Sequence, residues 1–193
     1  MAEVVLYHHA QGLTDGVKTF ADELRQAGHT VHLPDLYEGR TFATLEEGIA
    51  YAKETGFGVV AERGVKAGEE LGEGVVYAGF SLGVMPAQQL AQTRTGVRGA
   101  LFFDACLPVS EFGESWPTGV PVQIHGMDED PWFAEEDGDL GAARALVAST
   151  DQAELFLYPG KVHLFADSSL PGYDEAAAKL LTSRVLTFLE PIR

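Results

Sequence analysis

The sequence predicts an α/β fold: a mostly parallel sheet of about six strands, with helices on both faces. Short apolar runs rich in β-branched and aromatic residues alternate with segments that have the 3.6-residue period of amphipathic helices. Such alternation is typical of strand–helix–strand units, whose parallel strands are buried on both faces. The 193 residues are 46% apolar and 22% charged, which indicates one globular domain over residues 1–193.

The strands and helices are predicted in a regular order along the chain. Strands are expected at residues 4–8, 30–33, 75–79, 99–103, 120–125 and 154–158. A helix follows the first strand, because Val17, Phe20, Ala21 and Leu24 share one face and Gly28 suits the position after a helix end. Further helices are expected at residues 45–53, 59–71, 82–93, 140–148 and 174–189. Residues 35–74 lack a strand signal and form an excursion too short for a cap domain.

Composition excludes several classes of partner. The net charge is −16 and no cluster of Lys and Arg exists, so a nucleic-acid partner is not expected. No apolar run approaches the roughly 20 residues of a membrane helix, and the first residues lack a signal-peptide pattern. Cys106 is the single cysteine, so no internal disulfide can form. We expect a cytoplasmic monomer or homodimer that acts on a small molecule without a cofactor.

A serine between two glycines follows the third predicted strand. The segment YAGFSLG puts Ser81 on a sharp turn between strand and helix, and Gly79 and Gly83 remove side chains where backbone segments approach. The carboxyl ends of parallel strands are where such sheets bind ligands. This position therefore favours Ser81 as a nucleophile over a simple turn residue.

A base and an acid for this serine follow later strands. His163 lies five residues beyond the sixth predicted strand, and Asp128 and Asp130 follow the fifth. A serine needs a base to take its proton, and that base needs an orienting carboxylate. The order Ser, Asp, His is the chain order of α/β-hydrolases. Asp104, at the end of the fourth strand, is an alternative orienting acid.

Five segments resemble the dienelactone hydrolase family over nearly the whole chain. They are VVLYHHAQGL, GHTVHLPDLYEG, YAGFSLGVMPA, VQIHGMDEDPWF and LYPGKVHLFADSS. The resemblance implies a compact hydrolase without a cap, with Ser81 as nucleophile and His163 as base. The family's spacing from His125 favours Asp130 as the orienting acid. Esters or lactones are the substrates that this resemblance implies.

The sequence departs from the family at four positions that bear on the choice of substrate. Ser81 stands where the family usually has a nucleophilic cysteine, and Val84 stands where it usually has a second glycine after the nucleophile's turn. His9 stands where the family has an acidic residue after the first strand. Asp167 stands four residues past His163, where the family commonly has an arginine that holds the substrate carboxylate. We therefore expect a substrate without a carboxylate.

The remaining site predictions concern the oxyanion and the pocket. The backbone N–H groups of Leu82 and Ala10 are the expected oxyanion donors. His9, Gln11, Trp132 and Phe165 are expected to line the substrate pocket. No metal site is expected, because the adjacent His8 and His9 would point to opposite faces of a strand.

Other functions and one irregularity also follow from the sequence. The same three side chains could pass an acyl group to an acceptor other than water, and the fold also hosts non-catalytic binding proteins. Pro86 falls inside the helix predicted to begin at Ser81. It lacks an N–H group, so we expect a kinked or delayed helix start.

Overall fold

A computed structural model of the chain describes residues 1–135 and 138–192. Six strands form one sheet in which every neighbouring pair is parallel. They are β1 (Glu3–Tyr7), β2 (Thr30–His32), β3 (Val75–Phe80), β4 (Gly99–Phe103), β5 (Val122–Met127) and β6 (Ala153–Tyr158). Their order across the sheet is β2-β1-β3-β4-β5-β6. The predicted fold class is confirmed.

Helices cover both faces of this sheet. They are α1 (Asp15–Gln26), α2 (Leu45–Thr55), α3 (Phe57–Glu69), α4 (Val84–Thr93), α5 (Asp139–Ser149) and α6 (Glu175–Leu189). One hydrophobic core joins the sheet to α1 and α6, and a second joins it to α2, α3, α4 and α5. Alternate residues of β1 divide between them, since Val4 packs in the first core and Val5 in the second.

Several element boundaries differ from the sequence prediction by one to three residues, and two of these differences have a reason in backbone chemistry. β5 begins at Val122, directly after Pro121, which has no N–H group to donate to a neighbouring strand. The helix after Ser81 begins only at Val84, because residues 81–83 form a short 3-10 turn. Pro86 therefore lies in the first turn of α4, where its missing N–H would have no intrahelical acceptor. This agrees with the delayed start expected from Pro86.

The strand register brings the functional loops to one edge of the sheet. Gly79 of β3 pairs with Tyr7 of β1 and with Phe102 of β4, while Phe103 pairs with His125 of β5. The residues that follow these strands therefore meet at their carboxyl ends. The strand order reverses between β1 and β3, where open α/β sheets form ligand crevices.

Candidate active site

Ser81 occupies a strained turn between β3 and α4. Its φ angle is +47°, in the left-handed region that non-glycine residues rarely adopt. A Cβ atom on Gly79 would lie 2.2 Å from the carbonyl oxygen of Gly83, and one on Gly83 would lie 2.6 Å from that of Tyr7. Both glycines are therefore required for this turn to approach the sheet. The turn holds the Ser81 hydroxyl clear of the strand end.

His163 links Ser81 to Asp130. Its Nε2 lies 2.9 Å from Oγ of Ser81, and its Nδ1 lies 2.6 Å from Oδ2 of Asp130. Because a carboxylate only accepts hydrogen bonds, Nδ1 carries the proton and donates it to Asp130. Nε2 is then left to accept the hydroxyl hydrogen of Ser81. The imidazole is therefore oriented to remove a proton from the serine.

The structure brings Asp130, and not Asp128, against His163. Asp130 is fully buried, and its Oδ1 accepts a hydrogen bond of 2.9 Å from the backbone N–H of Trp132. Asp128 is exposed, and its Oδ1 accepts from the backbone N–H of Gly160 at 3.0 Å. Asp128 therefore ties together the loops after β5 and β6, whereas Asp130 faces the imidazole.

Three carboxyl groups influence the charge of His163. Burial lowers the pKa of His163, but the hydrogen bond to Asp130 and the negative charges of Asp104, Asp130 and Asp139 outweigh it. The net effect raises the pKa of His163 above its ordinary value. These carboxylates thus stabilise the imidazolium that forms when the ring accepts a proton.

Asp104, the alternative acid, is a buried carboxyl group. Neither of its oxygens meets hydrogen-bond geometry with a described residue, although the Leu164 N–H lies near. The pKa of Asp104 is raised to about 7, mainly by burial. The charge of Asp130 also raises this pKa, whereas the charge of His163 and the Leu164 amide oppose the rise. Its φ angle of +59° is also left-handed. Asp104 therefore affects His163 by its charge rather than by contact.

Two backbone N–H groups are available near Ser81. Leu82 is the second residue of the 3-10 turn, so its N–H is among those that lack an intrahelical acceptor. Within the described part of the chain, the N–H of Ala10 donates to no other residue. Ala10 is 2% exposed and lies in the loop after β1. This loop starts beside the turn that carries Ser81, since a Cβ atom on Gly83 would lie 2.7 Å from the carbonyl oxygen of His8. Both groups suit a developing negative charge on a substrate oxygen.

A sequence model of the dienelactone hydrolase family matches residues 1–193. The chain belongs to this family. The resemblance of the five sequence segments is thereby confirmed, and with it the class of carboxylic ester hydrolase. No curated protein sequence matches the chain significantly.

Solved structures support the fold of this dienelactone hydrolase family member. The dienelactone hydrolase from Anabaena variabilis is 17% identical with a TM-score of 0.69, and the match covers 100% of this chain and 87% of that one. A dienelactone hydrolase-like promiscuous phosphotriesterase from metagenomic libraries is 19% identical with a TM-score of 0.71, over 100% and 87%. A structure of metagenome-derived lipolytic enzymes is 14% identical with a TM-score of 0.67, over 98% and 94%.

Of the predicted pocket residues, Trp132 is the one with a largely exposed side chain. It is 48% exposed, and its ring centroid lies 6.2 Å from that of His163. Phe165 is fully buried and packs against Tyr158, so it belongs to the core rather than to a pocket wall. That prediction was wrong because an apolar ring in a loop gives no sign of whether it faces a cleft or the core.

His9 and Gln11 also do not face an open pocket. His9 is fully buried with its Nε2 2.7 Å from Oδ2 of Asp167, and Gln11 is 5% exposed. The Gln11 side-chain amide donates to the backbone oxygens of Phe42 and Ala43 at 3.3 and 3.2 Å. Both side chains use their polar atoms to hold the loop after β1, which corrects the pocket role expected from the sequence.

Asp139 is a site residue that sequence reasoning missed. It is the first residue of α5, and its pKa is raised to about 6, mainly by burial. Hydrogen bonding to the Cys106 backbone and the charge of His163 oppose this rise. An acidic residue in the first turn of a helix is common, so the sequence carried no signal that the charge of Asp139 acts on the histidine.

The described residues offer neither a metal site nor a membrane span. No three side chains among His, Cys, Asp and Glu come close enough there to hold a metal ion. Across residues 1–135 and 138–192, every helix is too short or too polar to cross a bilayer. Cys106 is buried, and burial raises the pKa of its thiol to about 12. It therefore lacks the thiolate character of a nucleophile.

Proposed function

We propose that this chain hydrolyses small carboxylic esters or lactones through an acyl-enzyme intermediate on Ser81. The observation that carries the proposal is the continuous hydrogen-bonded row of Ser81, His163 and Asp130 at the carboxyl edge of the sheet. The base lies within hydrogen-bond reach of both the nucleophile and the orienting acid, as acyl transfer requires. Family membership supports the ester or lactone class.

In the acylation step, Oγ of Ser81 attacks the carbonyl carbon of the ester. Nε2 of His163 takes the hydroxyl proton, and the buried carboxylate of Asp130 stabilises the resulting imidazolium. The carbonyl oxygen becomes an oxyanion and is bound by the N–H groups of Leu82 and Ala10. When the tetrahedral intermediate collapses, the imidazolium gives its proton to the leaving alkoxide and the acyl group remains on Ser81.

In the deacylation step, water replaces the alcohol. His163 removes a proton from that water, whose oxygen attacks the acyl carbon under the same two N–H groups. The carboxylic acid leaves and Ser81 regains its hydrogen from His163. A lactone follows the same course, except that its alcohol stays attached to the acyl group.

The surroundings favour a small substrate without a negative charge. Asp104, Asp130 and Asp139 all act on His163 electrostatically, and the chain carries a net charge of −16. A substrate carboxylate would be repelled by these groups. The exposed ring of Trp132 next to His163 offers an apolar contact for a short acyl or alcohol portion.

Covalent labelling tests the proposed nucleophile. A fluorophosphonate should modify Ser81, and Ser81→Ala should abolish both labelling and turnover of p-nitrophenyl acetate without changing the melting temperature appreciably. Intact-mass spectra of the wild-type protein should show a single adduct. Residual activity above about a tenth of wild type in Ser81→Ala, or an adduct on Cys106, would overturn the proposal, since losing such a nucleophile costs many orders of magnitude.

A further inference from the structure

The loop between β1 and α1, residues 9–14, contains Ala10, whose N–H donates to no described residue; we call it the oxyanion loop. The backbone oxygens on either side of Ala10 already accept hydrogen bonds. The backbone oxygen of His9 accepts from Nδ1 of His8 at 2.7 Å and from the N–H of Gly12 at 3.0 Å. The backbone oxygen of Gln11 accepts from the Phe42 N–H at 2.9 Å. The loop thus has a fixed shape, but these bonds do not link it to the loop that carries His163.

Asp167 provides that link. Its Oδ2 accepts from Nε2 of His9 at 2.7 Å and from Oγ1 of Thr14 at 2.5 Å. Its Oδ1 accepts from the backbone N–H of Ser169 at 2.8 Å and from the hydroxyl of that residue at 2.6 Å. One oxygen therefore holds both ends of the oxyanion loop. The other is held within the segment that follows His163.

The hydrogen bonds of His9 identify which of its ring nitrogens carries the hydrogen. Nδ1 of His9 lies 3.2 Å from the backbone N–H of Gln11, which can only donate. Nδ1 must therefore accept, and the ring hydrogen resides on Nε2, from which it is donated to Asp167. Among the residues that the structure describes, every group that bonds to the Asp167 carboxylate is a donor, as an ionised acid requires.

We infer that His9 and Asp167 are positioning residues that hold the oxyanion loop, and so the Ala10 N–H, in register with the loop carrying His163. This inference rests on the proposed function, because it assumes that the Ala10 N–H binds the oxyanion. A donor displaced by even a fraction of an ångström no longer points at the developing charge. The pair acts on the reaction through the backbone and does not touch the substrate.

The first turn of α1 also packs against the Asp167 carboxylate. A Cβ atom on Gly16 would lie 2.4 Å from the carboxyl carbon of Asp167, so glycine is needed for the helix to approach the carboxylate this closely. The N-terminus of a helix stabilises a negative charge. Burial raises the pKa of Asp167, but hydrogen bonds from His9, Ser169 and Thr14 outweigh it and bring the pKa to about 2. Asp167 is therefore ionised throughout the working range of pH.

Four variants of the full chain test the inference with p-nitrophenyl acetate as substrate. His9→Phe removes the donor at similar size, and Asp167→Asn replaces one acceptor oxygen with a donor. We expect each to lower kcat by about 10- to 100-fold with KM within about threefold of wild type. His9→Gln keeps a donor that reaches Asp167 and should recover most of the loss. Asp174→Ala removes the N-cap bond of α6 at 3.0 Å, and serves as a control for lost stability alone.

Two further measurements separate positioning from general destabilisation. The pH midpoint of kcat/KM, which reports His163, should be the same in wild type, His9→Phe and Asp167→Asn. Hydrogen exchange of peptides covering residues 9–14 should quicken in both variants and not in Asp174→Ala. Unchanged kcat in His9→Phe, a loss no greater than in Asp174→Ala, no recovery in His9→Gln or unchanged exchange would each overturn the inference.

The failure of the proposed function gives a different result. If wild type is inactive, or Ser81→Ala keeps more than about a tenth of wild-type activity, the hydrolase proposal fails whatever happens at His9. If activity depends on Ser81 but not on His9, only the positioning role fails. Faster exchange in an inactive protein would leave the link between the loops in place while removing its role in catalysis.

Discussion

Oδ2 of Asp130 lies 2.6 Å from Nδ1 of His163, and the carboxylate is fully buried. A buried carboxylate at this distance orients the imidazole and stabilises its charged form. Asp128, two residues earlier, carries the same charge but is exposed and bonds to Gly160 instead. Replacing each aspartate in turn therefore separates the effect of orienting the His163 ring from the effect of negative charge alone.

Asp130→Asn should lower kcat by about 10³- to 10⁴-fold, because an amide in place of the carboxylate favours the wrong imidazole tautomer. Asp128→Asn removes the same charge, keeps an oxygen that can accept from Gly160, and should stay within about threefold of wild type. Steady-state kinetics on p-nitrophenyl acetate compares them. An equal loss in both would point to net charge, and a larger loss at Asp128 would contradict the assignment of Asp130.

The pH dependence of kcat/KM should follow the protonation of His163. The ring must be neutral to act as a base, and its pKa is raised, so activity should increase with pH through a midpoint above the ordinary histidine value of 6.5. Asp104→Asn removes one of the negative charges that stabilise the imidazolium and should lower this midpoint. Rate profiles of the two proteins from pH 5 to 9 provide the measurement. A midpoint that stayed fixed or moved upwards would mean that Asp104 does not act on His163.

The order of the elements and of the three reacting residues could be predicted from the sequence. Each of Ser81, Asp130 and His163 follows a recognisable strand, and parallel strands bring their carboxyl ends to one edge. Choosing between Asp128 and Asp130 from the sequence needed the resemblance to a family. Residues two apart in a loop have no fixed directions until the loop is packed.

The partners of His9 and Asp167 could not be predicted. They are 158 positions apart, and the sequence shows only that Asp167 stands where the family commonly has an arginine. In the structure Asp167 is 2% exposed and its charge is satisfied by His9, Thr14 and Ser169. Hydrophobic periodicity identifies which apolar residues are buried, but it does not identify buried polar pairs in loops.

Asp104 should make the protein less stable as the pH rises. Its pKa is about 7 in the folded chain against 3.8 for the free side chain, so above pH 4 the folded state binds more protons than the unfolded state. The contribution of Asp104 to the free energy of unfolding should therefore fall as the pH increases towards 7 and level off above it. Asn tolerates the left-handed φ of +59° at this position, so Asp104→Asn should remove this dependence without backbone strain.

Thermal unfolding at pH 5 and pH 8 measures the effect. The melting temperature of Asp104→Asn relative to wild type should be higher at pH 8 than at pH 5. Asp128→Asn removes an exposed charge and should show no such change. A constant difference between Asp104→Asn and wild type across this range would show that the carboxyl group is already ionised at pH 5.

Neutral esters should be better substrates than anionic ones of equal size. Asp104, Asp130 and Asp139 raise the pKa of His163 by their charge, and the same field opposes a substrate carboxylate. We expect p-nitrophenyl butyrate to have a higher kcat/KM than mono-p-nitrophenyl succinate, with a preference that shrinks at high ionic strength. Both substrates are assayed at low and high salt. Efficient turnover of the succinate, unaffected by salt, would instead indicate a cationic side chain at the site. Arg40 and Lys161 are the candidates, and replacing each by Met would identify which one binds the carboxylate.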